Sequence, residues 1–201
     1  MIKLEKTKVY GFEEAVRGMR NPMNSWAKSD SMWSFGVDIG ENDWRLMTNL
    51  AKAGSVHAKY RRMITVYVDI TAPLYWWKEF DTYKIGTVAN SCSTMHKIHS
   101  KEITLDDFSH ERLMITERNL LSQLIDVLNY NRMMYNKHNN KDYWEQIIQL
   151  LPSSYNQKRT IMFNYEVLVG MYRDRKAHKL NEWVEFCKWI ETLPYSQLIT
   201  G

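Results

Sequence analysis

Ile70-Thr71-Ala72-Pro73-Leu74-Tyr75-Trp76-Trp77-Lys78-Glu79-Phe80-Asp81-Thr82-Tyr83-Lys84 is the stretch on which the fold reading turns. Just upstream, Met63 to Ile70 alternates, with Ile64, Val66, Val68 and Ile70 on one face, which predicts a strand with a buried side. Pro73 has no amide proton to lose and a φ already suited to a helix, so it opens the helix expected over Leu74 to Phe80. A strand that runs straight into a proline-started helix is a supersecondary unit, and the rest of the chain is read around it.

Towards the N-terminus, Ile2 to Tyr10 alternates apolar residues with lysines, as a strand with one wet face would. Phe12 to Met19 reads as a short helix, and Asn21 to Gly40, rich in Asn, Ser, Gly and Asp, as a long loop. Asn42 to Ala53 repeats apolar residues at helical spacing, and Gly54 is placed to stop that helix. Towards the C-terminus the chain is expected to be helical from Asp106 on. Leu113, Leu120, Leu121, Leu124, Ile125 and Leu128 form an apolar stripe on a helix running to about Tyr135. Shorter helices are expected near Lys141 to Leu151, Arg159 to Arg173 and Leu180 to Ile190. Strands early and helices late predict an α+β fold. No repeat or Pro/Gly-rich linker interrupts the 201 residues, so a single domain over 1–201 is expected.

Composition narrows the function classes. A net charge of +4 is too weak to mark a nucleic-acid binder, which concentrates positive charge on one face. Eight tryptophans and twelve tyrosines point to a well-packed core or a subunit interface. Cys92 and Cys187 belong to no metal-binding spacing, and two lone cysteines fit a reducing compartment, so a cytoplasmic protein is expected. No apolar run nears the roughly 20 residues that cross a bilayer, so no membrane association is expected. His96 and His99, with Asp106 downstream, read as exposed side chains rather than ligands, and no metal is expected. Ser91-Cys92-Ser93 lacks the Gly-x-Ser-x-Gly elbow of a nucleophile. Trp76 and Trp77 either stack a ligand ring or pack in the core. The basic cluster from Arg173 to Lys179, diluted by Asp174, Glu182 and Glu185, reads as a solvated helix face.

The stretch from Ile70 to His96 resembles the flavin-dependent thymidylate synthases, which carry a strand, a proline-started helix with Arg-Gln, an Arg-His-Arg, and a downstream Ser, Asn-Glu, Ser and Arg. The same frame reads here Thr71-Ala72-Pro73, Lys78-Glu79 through Thr82-Tyr83-Lys84, then Thr87, Asn90-Ser91, Ser93 and Met95. A second match lies in Leu151-Pro152, Asn164 twelve residues on and Arg175 eleven further, followed by His178 and Glu182. A third is Leu50 to Tyr60, similar to the family's helix ending in Gly-His; His57 keeps that histidine and Arg61 stands near an expected Glu. Together these cover residues 42 to 194.

The resemblance implies a sheet flanked by long helices, four subunits in a homo-oligomer, FAD as cofactor, and a nucleotide monophosphate that is reductively methylated. It implies Asn164, His178, Lys84, Tyr83 and His57 as cofactor-binding residues and Arg175, Ser93 and Glu79 as substrate-binding residues, with no protein nucleophile. Arginines bind a phosphate in two-point fashion. Here Thr82, Met95 and Ile148 stand where the family has three of them. Three lost charge-assisted contacts at about 1.5–3 kcal/mol each would abolish useful affinity for that substrate. Glu79 adds negative charge where the nucleotide would lie, and Glu166 replaces an arginine. Two functions are therefore expected. One is a derivative that has lost thymidylate synthesis and keeps the scaffold for a small molecule or a protein partner. The other is a flavin- or nucleotide-linked enzyme with an altered substrate, its pocket lined by Tyr83, Trp76 and Trp77.

Overall fold

The computed structural model describes residues 2–201. In chain order the elements are β1 (Lys3–Tyr10), α1 (Phe12–Arg20), α2 (Glu41–Lys52), β2 (Thr65–Pro73), α3 (Leu74–Phe80), β3 (Val88–Ser91), α4 (Ile115–His138), α5 (Lys141–Leu150), β4 (Asn156–Asn164), α6 (Tyr165–Arg175), α7 (Asn181–Glu191) and α8 (Gln197–Thr200). The strands form one four-stranded sheet in the order β1-β2-β4-β3, so the class is α+β. The deciding stretch folds as its pattern dictates. Val66, Val68 and Ile70 are buried along β2, and Pro73 sits at the N-cap of α3 in extended conformation.

Contacts divide the chain into two compact units, each assembled from separate segments. One contains Ile70–Thr82 and Asn90–Arg159. Its core joins Ile98, Ile103, Phe108, Leu121, Ile125, Leu128 and Ile147. Trp76, Trp77 and Phe80 pack together in the same unit, with ring centroids 4.8–5.2 Å apart. On α4, Leu120 is 67% exposed, although its type places it on the apolar stripe. Leu121, Ile125 and Leu128 follow the inward 4-then-3 spacing, and Leu120 lies one residue before that row, turned about 100° from it.

The second unit contains Leu4–Asp69, Tyr83–Ala89 and Thr160–Gly201. Its core includes Phe12, Met47, Ile64, Phe163, Tyr165, Trp183 and Phe186, none more than 2% exposed. The expected loop from Asn21 to Gly40 is made of 3-10 turns at Asn21–Met23 and Trp26–Lys28 and an isolated bridge between Met32 and Asp38. It is anchored by Asp43, a fully buried carboxylate that receives Arg20 Nε at 2.6 Å, the Ser29 and Ser31 hydroxyls at 2.7 Å each, and the amides of Asp30 and Ser31.

The expected helix over Arg159 to Arg173 forms only from Tyr165 on, as α6. Residues 159–164 belong to β4, so the chain is not helical throughout after Asp106. The competing signal is a short two-residue alternation, with Ile161 and Phe163 buried and Thr160 and Met162 not. Asn164 then ends the strand by capping the helix, its side-chain oxygen accepting the Val167 amide at 3.1 Å.

Candidate functional site

Asn164 fixes where α6 begins, and Arg175 is the last residue of that helix. A tight turn follows, in which the His178 amide donates to the Arg175 carbonyl and the Leu180 amide donates to His178 Nδ1 at 3.1 Å. The acceptor role of Nδ1 places the proton of the neutral ring on Nε2. α7 then presents Trp183, fully buried.

Arg175 Nε donates to the Tyr83 hydroxyl at 2.9 Å. Its guanidinium carbon lies 4.7 Å from the Trp183 ring centroid and 5.5 Å from that of Tyr83. Tyr83 and His178 both meet Trp183 edge-on, at 6.1 and 6.4 Å. The hydrogen bond to Tyr83 and two ring faces thus help to hold the arginine, each of the cation–π contacts worth about 0.5–2 kcal/mol. Tyr83→Phe keeps the ring and removes the hydroxyl. It is expected to lower stability by about 1.5 kcal/mol, read as a shift in the denaturant midpoint. An unchanged midpoint would mean that the rings alone hold Arg175.

The segment after Tyr83 runs against the start of α6. Gly86 has φ +78°, and a Cβ there would lie 2.9 Å from Val167 Cγ2 and 3.3 Å from Asn164 Nδ2. Asn164 is therefore enclosed between its own cap and this glycine. Of the expected cofactor residues in this unit, Tyr83 and His178 meet at Trp183, and Asn164 flanks the segment that bears Tyr83. Lys84 is exposed, and no ion pair to it occurs among the described residues. His57 is exposed in the turn after α2, and its ring makes no hydrogen bond among the described residues.

Glu166, in the first turn of α6, lies 3.6 Å from Arg61, which is on the 3-10 turn Lys59–Arg62 and 6% exposed. The two positions that depart from the family pattern with opposite sign are thus paired with each other. Arg61 Nε and Glu166 Oε2 are buried and have no hydrogen bond among the described residues. The neighbouring Tyr60 hydroxyl donates to the Met47 carbonyl at 2.8 Å. Burial pushes that phenol up to about 12, with Arg61 opposing and Glu166 adding to the shift.

Ser93 and Glu79 belong to the other unit. Ser93 Oγ accepts the amides of Met95 and His96 at 3.1 and 2.9 Å, a local turn rather than a nucleophile's arrangement. It lines a polar cleft of about 260 Å³ with Thr71, Cys92, Lys101, Asp106 and Gln157. Glu79 is half-buried on α3. Trp76 and Trp77 are at most 1% exposed, so neither lines an open pocket as expected for the altered-substrate reading. Instead Trp77 Nε1 donates to the Gln157 carbonyl at 3.0 Å and Arg159 lies 4.1 Å over its ring. Ile148 packs against the core cluster, and Met95 is 49% exposed.

Sequence reading did not place Trp183 in the site. Its signal was present as the helical spacing of Trp183, Phe186, Cys187 and Ile190, which reads only as core. Among the described residues no group of three or more His, Cys, Asp or Glu could hold a metal ion, and no helix is long and apolar enough to cross a membrane.

No protein-family model matches the chain, and no curated protein does. Solved structures do. One is the flavin-dependent thymidylate synthase ThyX from Helicobacter pylori complexed with FAD and dUMP, with a TM-score of 0.70 and 18% identity over 98% of this chain and 97% of that one. Another structure of the same enzyme with FAD and dUMP gives 0.70 and 17% over 100% and 97%. The likeness spans the whole chain, so this protein has the fold of ThyX.

Proposed function

We propose that this chain, built on the ThyX fold, has lost thymidylate synthesis and keeps the scaffold for binding a small molecule or a protein partner, as a cytoplasmic homotetramer. The observation that carries the reading is the commitment of Arg175. It is the one arginine left of the expected phosphate-binding set, its Nε donates to Tyr83, and its guanidinium lies over the rings of Tyr83 and Trp183. Thr82, Met95 and Ile148 supply no charge in place of the other three. At these four positions a dianionic phosphate ester would meet a single guanidinium, whose Nε already donates to Tyr83, in place of several arginines.

The same residues test poorly against FAD. Among those expected to hold it, Lys84 alone offers a cation with no ion pair among the described residues, and Asn164 Oδ1 is used as a helix cap. Within one chain that set does not fit the two charges of a diphosphate. The alternative, a flavin-linked enzyme with an altered substrate, draws on a different observation. The ion pair of Glu166 with Arg61 removes the net repulsion that Glu166 would exert on a phosphate.

Two measurements on the full chain separate the readings. The protein is expected not to rescue a thymidine-requiring strain when overexpressed, and to be colourless after incubation with FAD and desalting. Retained flavin absorbance without rescue would favour the altered-substrate enzyme, and rescue would overturn the proposal.

A further inference from the structure

A second cleft lies in the unit containing Leu4–Asp69, lined by residues that take no part in the Tyr83–Arg175 cluster. α1 contributes Val16, Arg17 and Arg20, and the segment after it contributes Trp26, Ser29 and Trp33; the volume is about 170 Å³. Two guanidinium groups and two indole rings lining so small a space are the chemistry of a site for a ring that carries negative charge.

The charges set how much. Arg20 is 4% exposed, and its Nε is paired with Asp43 at 2.6 Å while Nη1 donates to the Ser25 carbonyl at 3.2 Å. Its charge is neutralised, but Nη2 has no bond among the described residues. Arg17, one helical turn earlier, has neither ion pair nor hydrogen bond among the described residues. Glu13 is the one acidic side chain lining the cleft, and it would repel a second negative charge. A monoanion is favoured over a phosphate dianion. The aromatic wall is also pre-set, because Trp26 Nε1 donates to Asn21 Oδ1 at 2.8 Å and Asp43 gathers Ser29, Ser31 and the Asp30 amide into one anchor. A pre-organised wall loses less entropy on binding. The volume lies below the roughly 300–1,000 Å³ of sites for drug-sized ligands, which excludes a dinucleotide and suits a single ring.

We propose that this cleft binds a small aromatic monocarboxylate, its carboxylate on Arg17 and the spare N–H of Arg20 and its ring against Trp26 and Trp33. The site is independent of the Tyr83–Arg175 cluster, so loss of flavin or nucleotide binding there leaves it standing.

The test is a titration of the full chain with phenylacetate, followed by tryptophan fluorescence. A saturable change is expected. The uncharged 2-phenylethanol should bind about tenfold more weakly, and cyclohexylacetate, which keeps the charge and lacks the aromatic face, about fivefold more weakly. Arg17→Gln, at an exposed position, should weaken phenylacetate binding about tenfold with an unchanged melting midpoint. Trp26→Leu should reduce the fluorescence change to the part that comes from Trp33, and weaken binding in a calorimetric titration. Absence of saturation, equal binding of either control, unchanged affinity in Arg17→Gln, or equally strong competition by inorganic phosphate would each overturn the assignment.

Discussion

Asp43→Ala is expected to lower the stability of the protein by about 3–5 kcal/mol, the usual cost of removing one partner from a buried ion pair. In a chain of this length that corresponds to a fall in melting midpoint of about 10 °C. The size follows from what the carboxylate does. Asp43 is 0% exposed and accepts from Arg20, Ser29 Oγ, Ser31 Oγ and the amides of Asp30 and Ser31. Without it, Arg20 is a buried charge with no counter-ion, and the turn at Ser29–Ser31 loses the acceptor that sets its path. Asp43→Asn keeps the shape but replaces an acceptor with a donor facing donors, so it should recover little. Ser29→Ala and Ser31→Ala remove one donor each and should cost about 1–2 kcal/mol apiece. Equal midpoints for Asp43→Ala and Ser29→Ala would show that the carboxylate is not the anchor.

The same group gives the fold an acid limit. Burial works against ionisation of Asp43, but the hydrogen bonds from Ser29, Ser31, Arg20 and the Asp30 amide outweigh it and hold the carboxyl below its usual range. A carboxyl whose folded pKa is depressed stabilises the native state above its unfolded pKa, near 4, and that stabilisation is lost as the pH falls through the folded value. The gap between the native protein and Asp43→Ala should therefore be full at neutral pH and close progressively below about pH 4.

What the sequence revealed, and what it hid, follows from how local each signal is. β2 and α3 were legible because a strict two-residue alternation meets a proline, and both rules act within a few bonds. β4 was hidden for the opposite reason. Asn156 to Lys158 is polar, the apolar alternation is only Ile161 and Phe163, and the helix-forming residues after Asn164 draw the reading back across the boundary. The spacing of Pro152, Asn164 and Arg175 was visible and carries the fold likeness, since a strand and a helix of fixed length separate them. The commitment of Arg175 was not visible. It depends on Tyr83 and Trp183, which are 92 and 8 residues away and come from a turn and a different helix. Likewise Trp76 and Trp77 look the same in sequence whether they stack a ligand or each other. Only their burial decides.

Reversing the charge at one end of the Arg61–Glu166 pair is expected to cost about 3–5 kcal/mol, and reversing both ends is expected to restore most of it. Arg61 is 6% exposed and the Glu166 side chain 18%, with 3.6 Å between them, so little solvent screens the interaction. In Glu166→Arg two guanidinium groups face each other in that space; in Arg61→Glu two carboxylates do. The double variant Arg61→Glu/Glu166→Arg returns one charge of each sign to the same two places. A double-mutant cycle from denaturant midpoints should therefore give a favourable coupling of several kcal/mol, well beyond the few tenths expected of independent sites. A double variant no more stable than the worse single one would show that the two side chains do not act as a pair. The outcome bears on function as well as on stability. Glu166 considered alone puts a negative charge at the start of α6, where a helix N-terminus would otherwise favour an anion. Glu166 considered with Arg61 contributes no net charge, so its presence is no evidence against an anionic ligand. The case for lost thymidylate synthesis then rests on Thr82, Met95 and Ile148, and on an Arg175 already held by Tyr83 and Trp183.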